Sequence, residues 1–293
     1  MLLLTGATGL VGSNLLGRLL AEGAQVRCLV RDPRRLGTQR VRVQIALGDL
    51  TDPPSFRNAL RGVDTVVHLA AAIRDQPKGS IEELDGIATW RMVEAAERQG
   101  VERFVFFSAL GASTHHRTRC LRAKALAEQA VAEADLSSVV FAPSIVYAPG
   151  DPWLTLLERM ALLPVMPMSG RGQARFQPIW AEDVADCVVA ALRDSGGERR
   201  RRYELAGPET LSHAEMIRTV LAAQGRGRPV VPIPTPVVSR TLRLLERAMG
   251  PRAVATWDEA ELMEVSMLSA RGSADVEALG VTPQRMSAVL GAA

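Results

Sequence analysis

Short apolar runs alternate with longer segments of helical periodicity through the first half of the chain. Six runs rich in β-branched and aromatic residues predict strands at Leu2 to Thr5, Gln25 to Val30, Val41 to Leu47, Thr65 to Leu69, Arg103 to Ser108 and Ser138 to Ala142. Between strands, Leu15, Leu16 and Leu19 recur at helical spacing, and Ser80 to Glu83 has the form of a capping box ahead of a helix. This alternation predicts an α/β fold with a doubly wound parallel sheet covered by helices on both faces.

The pattern changes after Pro143, where Pro, Met and Leu become frequent. The predicted elements are a helix from Ala181 to Leu192, an edge strand from Tyr203 to Leu205, and amphipathic helices from Val237 to Met249 and from Trp257 to Leu268. The arginine run Arg199 to Arg202 predicts a solvated loop before the edge strand.

Two lobes are expected from this change of pattern. Residues 1–150 form a core to which residues 176–207 return, and residues 151–175 and 208–293 form a small, mainly helical C-terminal lobe. The lobe should cover the carboxyl edge of the sheet.

Composition narrows the classes of function. The 293 residues are 47% hydrophobic and 23% charged, with a net charge of only +3 and no basic stripe interleaved with aromatics, which argues against nucleic-acid binding. No apolar run approaches the length of a membrane helix, and the three cysteines follow no metal-ligand or disulfide spacing. We therefore expect a cytoplasmic protein with reduced thiols, no metal site and no transmembrane segment.

A glycine-rich sequence, Thr5-Gly6-Ala7-Thr8-Gly9-Leu10-Val11-Gly12, lies directly between the first predicted strand and the first predicted helix. In this context Gly6 permits a tight turn, Gly9 lets the backbone approach a pyrophosphate, and Gly12 permits close packing of the helix. The helix N-terminus adds N–H groups and a positive dipole. The sequence thus predicts a Rossmann-type dinucleotide site, and a glycine-rich turn without a ligand is the alternative.

The residues after the second strand bear on the choice of dinucleotide. NAD sites usually have an acidic residue there for the ribose 2′-hydroxyl, whereas a guanidinium can bind a 2′-phosphate. Here Arg31 occupies the end of the strand, with Arg34 or Arg35 as a second ligand. These arginines favour NADP(H) over NAD(H), whereas Asp32 favours NAD(H). After the third strand, Asp49 is a candidate contact to the adenine amino group or a loop cap.

Several segments together resemble the extended or atypical short-chain dehydrogenases/reductases, nearly end to end. They are the glycine loop, Gly48-Asp49-Leu50, Val66 to Ala71, Arg103 to Ala109 and Pro143 to Tyr147. Later segments, including Gln177 to Val184 and Tyr203 to Pro208, are most similar to bacterial relatives of the NADPH-binding accessory subunit of respiratory complex I. The resemblance implies cofactor contacts at Leu50, Leu69, Ala70, Ala71, Ser108, Pro143, Ser144 and Ile145, in addition to the loop residues.

Redox-active members of this family use a Tyr-x-x-x-Lys pair, in which the lysine binds the nicotinamide ribose and the tyrosine transfers a proton. The matching segment here is Cys120-Leu-Arg-Ala-Lys124, so the lysine is present and the tyrosine is absent. Only 2 of the 35 basic residues are lysines, which favours a specific role for Lys124 over a surface position. The family's active-site serine also lacks a secure match, because Ser108 and Ser113 flank its place and Leu110 fills it.

Alternative proton donors are few because the chain has only two tyrosines. Cys120 is shorter than a tyrosine and would miss the substrate, so Tyr147, His115 and His116 are the other candidates, each histidine being also a plausible solvated loop residue. His68, at the end of the fourth strand, is expected to pack near the cofactor rather than to titrate.

Three hypotheses follow. The dinucleotide is structural, regulatory or redox-sensing; or the chain is an NADP-dependent oxidoreductase or epimerase acting on a small carbonyl or quinone-like substrate with an unusual proton donor; or it is a membrane-surface protein that handles quinone or lipid. A small apolar substrate or a protein partner is expected at the C-terminal lobe.

Overall fold

Seven parallel strands form the central sheet of the computed structural model, which describes residues 1–77, 79–194, 196, 198–250 and 255–291. The strands are β1 (Leu2–Thr5), β2 (Val26–Val30), β3 (Gln44–Leu47), β4 (Thr65–His68), β5 (Arg103–Phe107), β6 (Ser137–Pro143), β7 (Val146–Tyr147), β8 (Met166–Ser169), β9 (Arg175–Phe176), β10 (Ile179–Trp180), β11 (Arg200–Leu205), β12 (Leu211–Ser212) and β13 (Val230–Ile233). The order in the sheet is β11-β6-β5-β4-β1-β2-β3, with every pair parallel. The chain reverses its direction of winding between β1 and β4, where α/β sheets open a ligand crevice.

Helices follow most of these strands. They are α1 (Leu10–Ala21), α2 (Pro53–Phe56), α3 (Ala88–Arg98), α4 (Arg119–Glu133), α5 (Pro152–Met160), α6 (Ala181–Arg193), α7 (His213–Ala223), α8 (Thr235–Met249), α9 (Trp257–Leu262), α10 (Ala274–Ala278) and α11 (Met286–Leu290). Two 3₁₀ segments (Pro33–Arg42 and Arg57–Leu60) and a π-helical segment (Glu82–Ile87) complete the described helical structure.

The two faces of the sheet are buried by different helices. Neighbouring residues of β1 point to opposite faces, so that Leu4 packs with α1 and α6, and Leu3 packs with α3 and α4. On the first face, Arg18 of α1 also binds Glu182 and Asp186 of α6. The sheet is therefore covered on both sides, which explains why its central strands β1, β4 and β5 are mostly apolar and buried.

The predicted α/β fold with a doubly wound parallel sheet is confirmed. The capping box is also present: the backbone N–H of Ser80 donates to Glu83 Oε2 (2.8 Å), and that of Glu83 donates to Ser80 Oγ (3.3 Å). The chain then winds as the π-helical segment Glu82–Ile87 before entering α3.

Three predicted boundaries were wrong. Val41, which was predicted as strand, lies in the 3₁₀ segment beside the sheet edge and is 82% exposed. The helix predicted from Trp257 to Leu268 ends at Leu262, because Ser266 Oγ and the Met267 N–H form hydrogen bonds with the backbone of Arg175. Arg200 to Arg202 belong to β11, where pairing with β6 replaces the predicted loop.

A third buried cluster lies beyond the main sheet. It joins β7, α5, β8 and α7 through side chains such as Tyr147, Leu154, Met168 and Met216, and it also includes Met267 from the C-terminal part. The pair β8–β13 is parallel and β9–β12 is antiparallel. The division of the chain into two lobes at the boundaries given above stays a prediction.

Candidate functional site

The glycine loop is packed too tightly for side chains. Gly6 has a φ of +72°, and a Cβ there would lie 2.6 Å from the backbone N of Ala70. A Cβ at Gly12 would lie 2.1 Å from the carbonyl oxygen of Gly6. Helix α1 begins at Leu10 after Gly9, which supplies no side-chain cap, so the N–H groups of the first turn are left for another acceptor. The loop thus brings the β1–α1 turn, the end of β4 and the helix N-terminus together.

A cavity of about 400 Å³ opens directly over this loop. The predicted residues that line it are Thr5, Gly6, Thr8, Gly9, Arg31, Asp49, Leu50, Leu69, Ala70 and Ala71. Lining residues that the sequence analysis did not place in the site are Ala7, Leu29, Val30, Gly48, Ala72, Gln76 and Leu84. Leu10, Val11 and Gly12 form the first turn of α1 beneath the loop. The cavity therefore collects residues from the carboxyl ends of four neighbouring strands.

Positive charge lines the far end of the cavity. Arg31 and Arg35 are both exposed and line it, whereas Arg34 is not among its lining residues. Arg31 Nη1 donates to Gln76 Oε1 at 3.0 Å, so Gln76 orients the guanidinium. Asp32 also lines the cavity, but its Oδ1 accepts a hydrogen bond from the backbone N–H of Arg34 and caps the following 3₁₀ segment.

Asp49 is the loop cap that its position suggested, and its contact to the adenine amino group stays a prediction. It lines the cavity, and its Oδ1 accepts hydrogen bonds from the backbone N–H of Thr51 (3.1 Å) and from Thr51 Oγ1 (2.9 Å). The carboxylate is thus held in place by its own turn while facing the cavity.

Lys124 is buried and held by two groups from other elements. Its Nζ donates to the carbonyl oxygen of Phe107 at 2.9 Å and lies 3.6 Å from Asp85 Oδ2. Asp85 comes from the π-helical segment, is 1% exposed, and accepts a hydrogen bond from the backbone N–H of Ala72 at 2.6 Å. Burial raises the pKa of Asp85, and the charge of Lys124 opposes that shift. Lys124 is therefore a core residue next to the end of β5, with a carboxylate as counterion.

Cys120 lies one helical turn before Lys124 and is 8% exposed. Burial raises the pKa of its thiol to about 11, with Lys124 opposing the shift. The thiol therefore stays protonated near neutral pH and is a weak acid. Ser108 is close by in the chain and buried at 4% exposure, and its hydroxyl has no hydrogen-bond partner among the described residues.

The other predicted proton donors differ in their surroundings. Tyr147 is completely buried in the third cluster, and burial, followed by the charges of Asp183 and Glu209, raises its pKa. His116 Nδ1 accepts the backbone N–H of Thr118 at 3.1 Å, next to the start of α4, and burial lowers its pKa. His115 is exposed, with its Nδ1 3.1 Å from Thr114 Oγ1.

The residues after β6 hold the chain to its C-terminal part. The hydroxyl of Ser144 donates to the carbonyl oxygen of Met267 (2.8 Å) and accepts from the backbone N–H of Gln177 (3.0 Å). The carbonyl oxygen of Pro143 accepts from Leu110, and that of Ile145 accepts from Ile179. Because carboxyl ends of parallel strands meet at one edge, Pro143 and Ser108 share the edge that carries Gly6.

His68 lies at the same sheet edge and is 1% exposed. Its Nδ1 is 2.9 Å from Thr5 Oγ1, and its Nε2 is 3.2 Å from Thr89 Oγ1. Burial, with a further contribution from Lys124, lowers its pKa to about 3. The imidazole is therefore neutral near pH 7 and ties β1, β4 and α3 together.

Asp85 and Gln76 are the functional candidates that the sequence analysis missed. Asp85 shares a helical face with Ala88, Thr89 and Met92, all buried, and a carboxylate on an apolar face signals a buried partner. Gln76 lies in an irregular segment without periodicity, so no comparable signal identifies it.

The described residues contain neither a cluster of metal ligands nor a helix that could span a membrane. Within 1–77, 79–194, 196, 198–250 and 255–291, no three His, Cys, Asp or Glu side chains are grouped so as to hold a metal ion. In the same part of the chain, no helix has both the length and the apolar character needed to cross a membrane.

Comparison with known proteins shows similarity to proteins that bind NAD(P)H. The profile of a family described as NAD(P)H-binding matches residues 6–195. The chain is 32% identical over 222 residues to mitochondrial NADH dehydrogenase (ubiquinone) 1 alpha subcomplex subunit 9 of Arabidopsis thaliana, covering 72% of this chain and 54% of that protein. It is 31% identical over 192 residues to the ceramide reductase of Caulobacter vibrioides, covering 65% and 60%. The matches thus span little more than half of the length of these two relatives.

Among solved structures, the NADPH-dependent quinone oxidoreductase of Escherichia coli, crystallised with NADPH, superposes with a TM-score of 0.78. The match covers 99% of each chain at 14% sequence identity. This similarity is one of fold.

Proposed function

The chain belongs to the NAD(P)H-binding family, among the atypical short-chain dehydrogenases/reductases related to the complex I subunit, and from this premise we propose that it holds NADP(H) as a structural, regulatory or redox-sensing group. When bound, the nicotinamide supplies or accepts a hydride. The observation that carries the proposal is the buried, protonated thiol of Cys120, at the position that the sequence resemblance gives to the family's tyrosine.

The residues present fit a dinucleotide. A Cβ at Gly6 or Gly12 would collide with neighbouring backbone, and the 400 Å³ cavity above the loop is lined by Arg31 and Asp49. Uncapped N–H groups at the start of α1 favour a pyrophosphate there. In this proposal Lys124 binds the nicotinamide ribose, with Ser108, Pro143, Ser144 and Ile145 nearby at the same sheet edge.

The preference for NADP(H) rests on charge at the far end of the cavity. Arg31 and Arg35 both line it, and the side chain of Asp32 is occupied in capping the backbone of Arg34. A guanidinium can bind a 2′-phosphate through two parallel N–H bonds. We propose Arg31 as the main phosphate ligand, oriented by Gln76, with Arg35 rather than Arg34 in support.

Weak proton donors argue against rapid turnover. Proton transfer by a positioned acid contributes roughly 10²–10⁴-fold to catalysis and requires a pKa near the working pH. Burial moves the pKa of Cys120 and of Tyr147 upward, away from that range, and the neutral imidazole of His68 is occupied by two hydroxyls. These surroundings favour a cofactor that stays bound without reacting with a substrate. The buried, unpaired cysteines also suit the reducing cytoplasm, where we place the protein.

A second candidate is an NADP-dependent oxidoreductase or epimerase acting on a small carbonyl or quinone-like substrate. The buried Ser108 hydroxyl favours it, because this group has no partner among the described residues and follows β5 directly, next to the Lys124 acceptor Phe107. A bound carbonyl oxygen is a ligand of the kind that such a hydroxyl needs.

Measuring the oxidation of NADPH by added substrates distinguishes the two candidate functions. Protein loaded with NADPH is mixed with a panel of carbonyl and quinone compounds, and the absorbance of the reduced nicotinamide is followed. We expect no oxidation above that of free NADPH, and we expect Cys120→Tyr to retain nearly the same NADPH affinity. Turnover of any compound that Ser108→Ala abolishes, without loss of NADPH binding, would establish the oxidoreductase instead.

A further inference from the structure

Helix α8 has an apolar stripe on its outer face. Val237 and Leu244 are seven residues apart, which is nearly two helical turns, and their exposed fractions are 53% and 65%. Leu245 and Met249 extend the stripe and are also exposed. Ser239, on the opposite face, is buried. The apolar face of this amphipathic helix therefore points away from the protein.

Positive charge accompanies the stripe. Residues 224–250 contain five arginines (Arg226, Arg228, Arg240, Arg243 and Arg247) and one acidic residue, Glu246, a net charge of +4 against +3 for the whole chain. Arg240 and Arg247 are seven residues apart, lie along one flank of the stripe, and are exposed. The surface of α8 is thus both basic and apolar.

Contacts with α9 fix which face of α8 is turned inward. The backbone N–H of Trp257 donates to Glu246 Oε1 at 2.8 Å, and the guanidinium of Arg243 stacks 4.3 Å from the centre of the Trp257 ring. On its other side, α9 is bound to the sheet domain: Arg74 pairs with Glu259 (2.7 Å) and Arg119 with Asp258 (3.3 Å). Asp258 and Glu259 of α9 are therefore used internally, and the apolar stripe of α8 with its flanking arginines remains outside.

We propose that the outer face of α8 binds the surface of an anionic lipid bilayer. A helix with arginines beside a leucine and valine stripe lies in the interfacial plane, with its apolar side chains among the acyl chains and its cations at the headgroups. The cytoplasmic leaflet is anionic and attracts such segments. A second copy of the chain is disfavoured as the occupant, since two α8 helices, each with three arginines against one glutamate and so a net charge of +2, would repel each other.

This docking surface is formed by α8 and not by the segment Trp257 to Leu268, which the sequence had suggested as a second apolar helix. It also does not depend on the cofactor, because α8 contributes no residue to the cavity above the glycine loop. Failure of either proposal therefore leaves the other standing.

The test is flotation of the full chain, with and without NADPH, on vesicles of phosphatidylcholine alone or mixed with phosphatidylglycerol. We expect binding to the mixed vesicles only, weakened by high salt. One arginine near an anionic surface changes binding about fivefold, so the double variant R240E/R247E should bind at least ~25-fold more weakly. The variant Leu244→Glu should bind the mixed vesicles at least about tenfold more weakly than the unmodified chain does.

Matched controls carry the same changes elsewhere. R57E/R61E makes the same charge change in exposed residues near β4, and Val41→Glu changes a more exposed apolar residue at the sheet edge. Both should bind as the unmodified chain does, and thermal unfolding of all variants shows whether they are folded.

Three results would overturn the proposal. One is no flotation with either vesicle, a comparison that needs no variant. Another is that the control variant R57E/R61E weakens vesicle binding as much as R240E/R247E does. The third is a dimer in light scattering that Leu244→Glu dissociates while vesicles remain unbound, which would assign the stripe to a second copy of the chain.

Discussion

The ammonium of Lys124 and the carboxylate of Asp85 face each other at 3.6 Å in the core, and both residues are less than 10% exposed. Lys124 is otherwise held by the carbonyl oxygen of Phe107. A buried charge depends on its counterion, since loss of one partner leaves the other without compensation. The position of Lys124, which we propose as the ribose-binding lysine, is thus set by a carboxylate that comes from a different helical segment.

Asp85→Asn should therefore destabilise the protein. The asparagine can still accept the N–H of Ala72 but no longer balances the charge of Lys124, so we expect the free energy of unfolding to fall by about 3 kcal/mol. Chemical denaturation measures this change in the free energy of unfolding. Asp52→Asn, at an exposed acidic residue, should change the free energy by less than about 0.5 kcal/mol. Equal stability of the two variants would contradict the coupling.

Gly12→Ala should disrupt the phosphate loop. The added methyl group would overlap the carbonyl oxygen of Gly6, and overpacking of this kind costs about 1–3 kcal/mol. We expect NADPH affinity, measured by fluorescence titration, to be largely lost. Gly17→Ala in the same helix meets only the flexible end of Gln39 and should stabilise by about 0.5–1 kcal/mol without affecting affinity. Normal NADPH binding by Gly12→Ala would place the cofactor elsewhere.

Arg31→Ala should discriminate between the two dinucleotides. A hydrogen bond to a charged group contributes about 1.5–3 kcal/mol, so NADPH affinity should fall roughly 10- to 100-fold while NADH affinity changes little. Arg34→Ala, which removes a side chain that does not line the cavity, is the control and should affect neither. Equal losses for NADPH and NADH at Arg31 would remove the argument for a 2′-phosphate site.

His68 should make stability depend on pH below neutrality. Its pKa in the folded state is about 3, below the ordinary value of 6.5, so between these values the unfolded chain binds a proton that the folded chain does not. The free energy of unfolding therefore decreases as the pH falls, by about 1.4 kcal/mol per unit below 6.5. The unmodified chain and His68→Gln should differ in their free energy of unfolding, and denaturation curves should show that this difference is smaller at pH 4.5 than at pH 7 by about 2–3 kcal/mol. A constant difference would mean that His68 has the same pKa in the folded and in the unfolded chain.

The parts of the site that could be predicted have strong local signals. The loop from Thr5 to Gly12 combines strand, glycine spacing and helix, and each of these is visible in a few neighbouring residues. Arg31 was found in the same way, by its position at the end of a strand. Such features depend on short-range backbone geometry, which sequence patterns record well.

The parts that could not be predicted depend on contacts between distant segments. Asp85 and Lys124 are 39 positions apart and meet only because the π-helical segment packs on α4. The end of α9 at Leu262 depends on pairing of Ser266 and Met267 with Arg175, about ninety residues earlier. No local pattern encodes these contacts, and tertiary pairing overrides the helical periodicity of the segment that follows Trp257.

Retention of NADP(H) at the glycine loop is tested most directly by purifying the protein without added nucleotide and identifying by mass spectrometry what the denatured protein releases. The emptied protein is then titrated with NADPH and NADH. We predict close to one NADP(H) per chain and tighter rebinding of NADPH than of NADH. Protein that releases no nucleotide and binds neither dinucleotide when titrated would show that the glycine loop holds no dinucleotide.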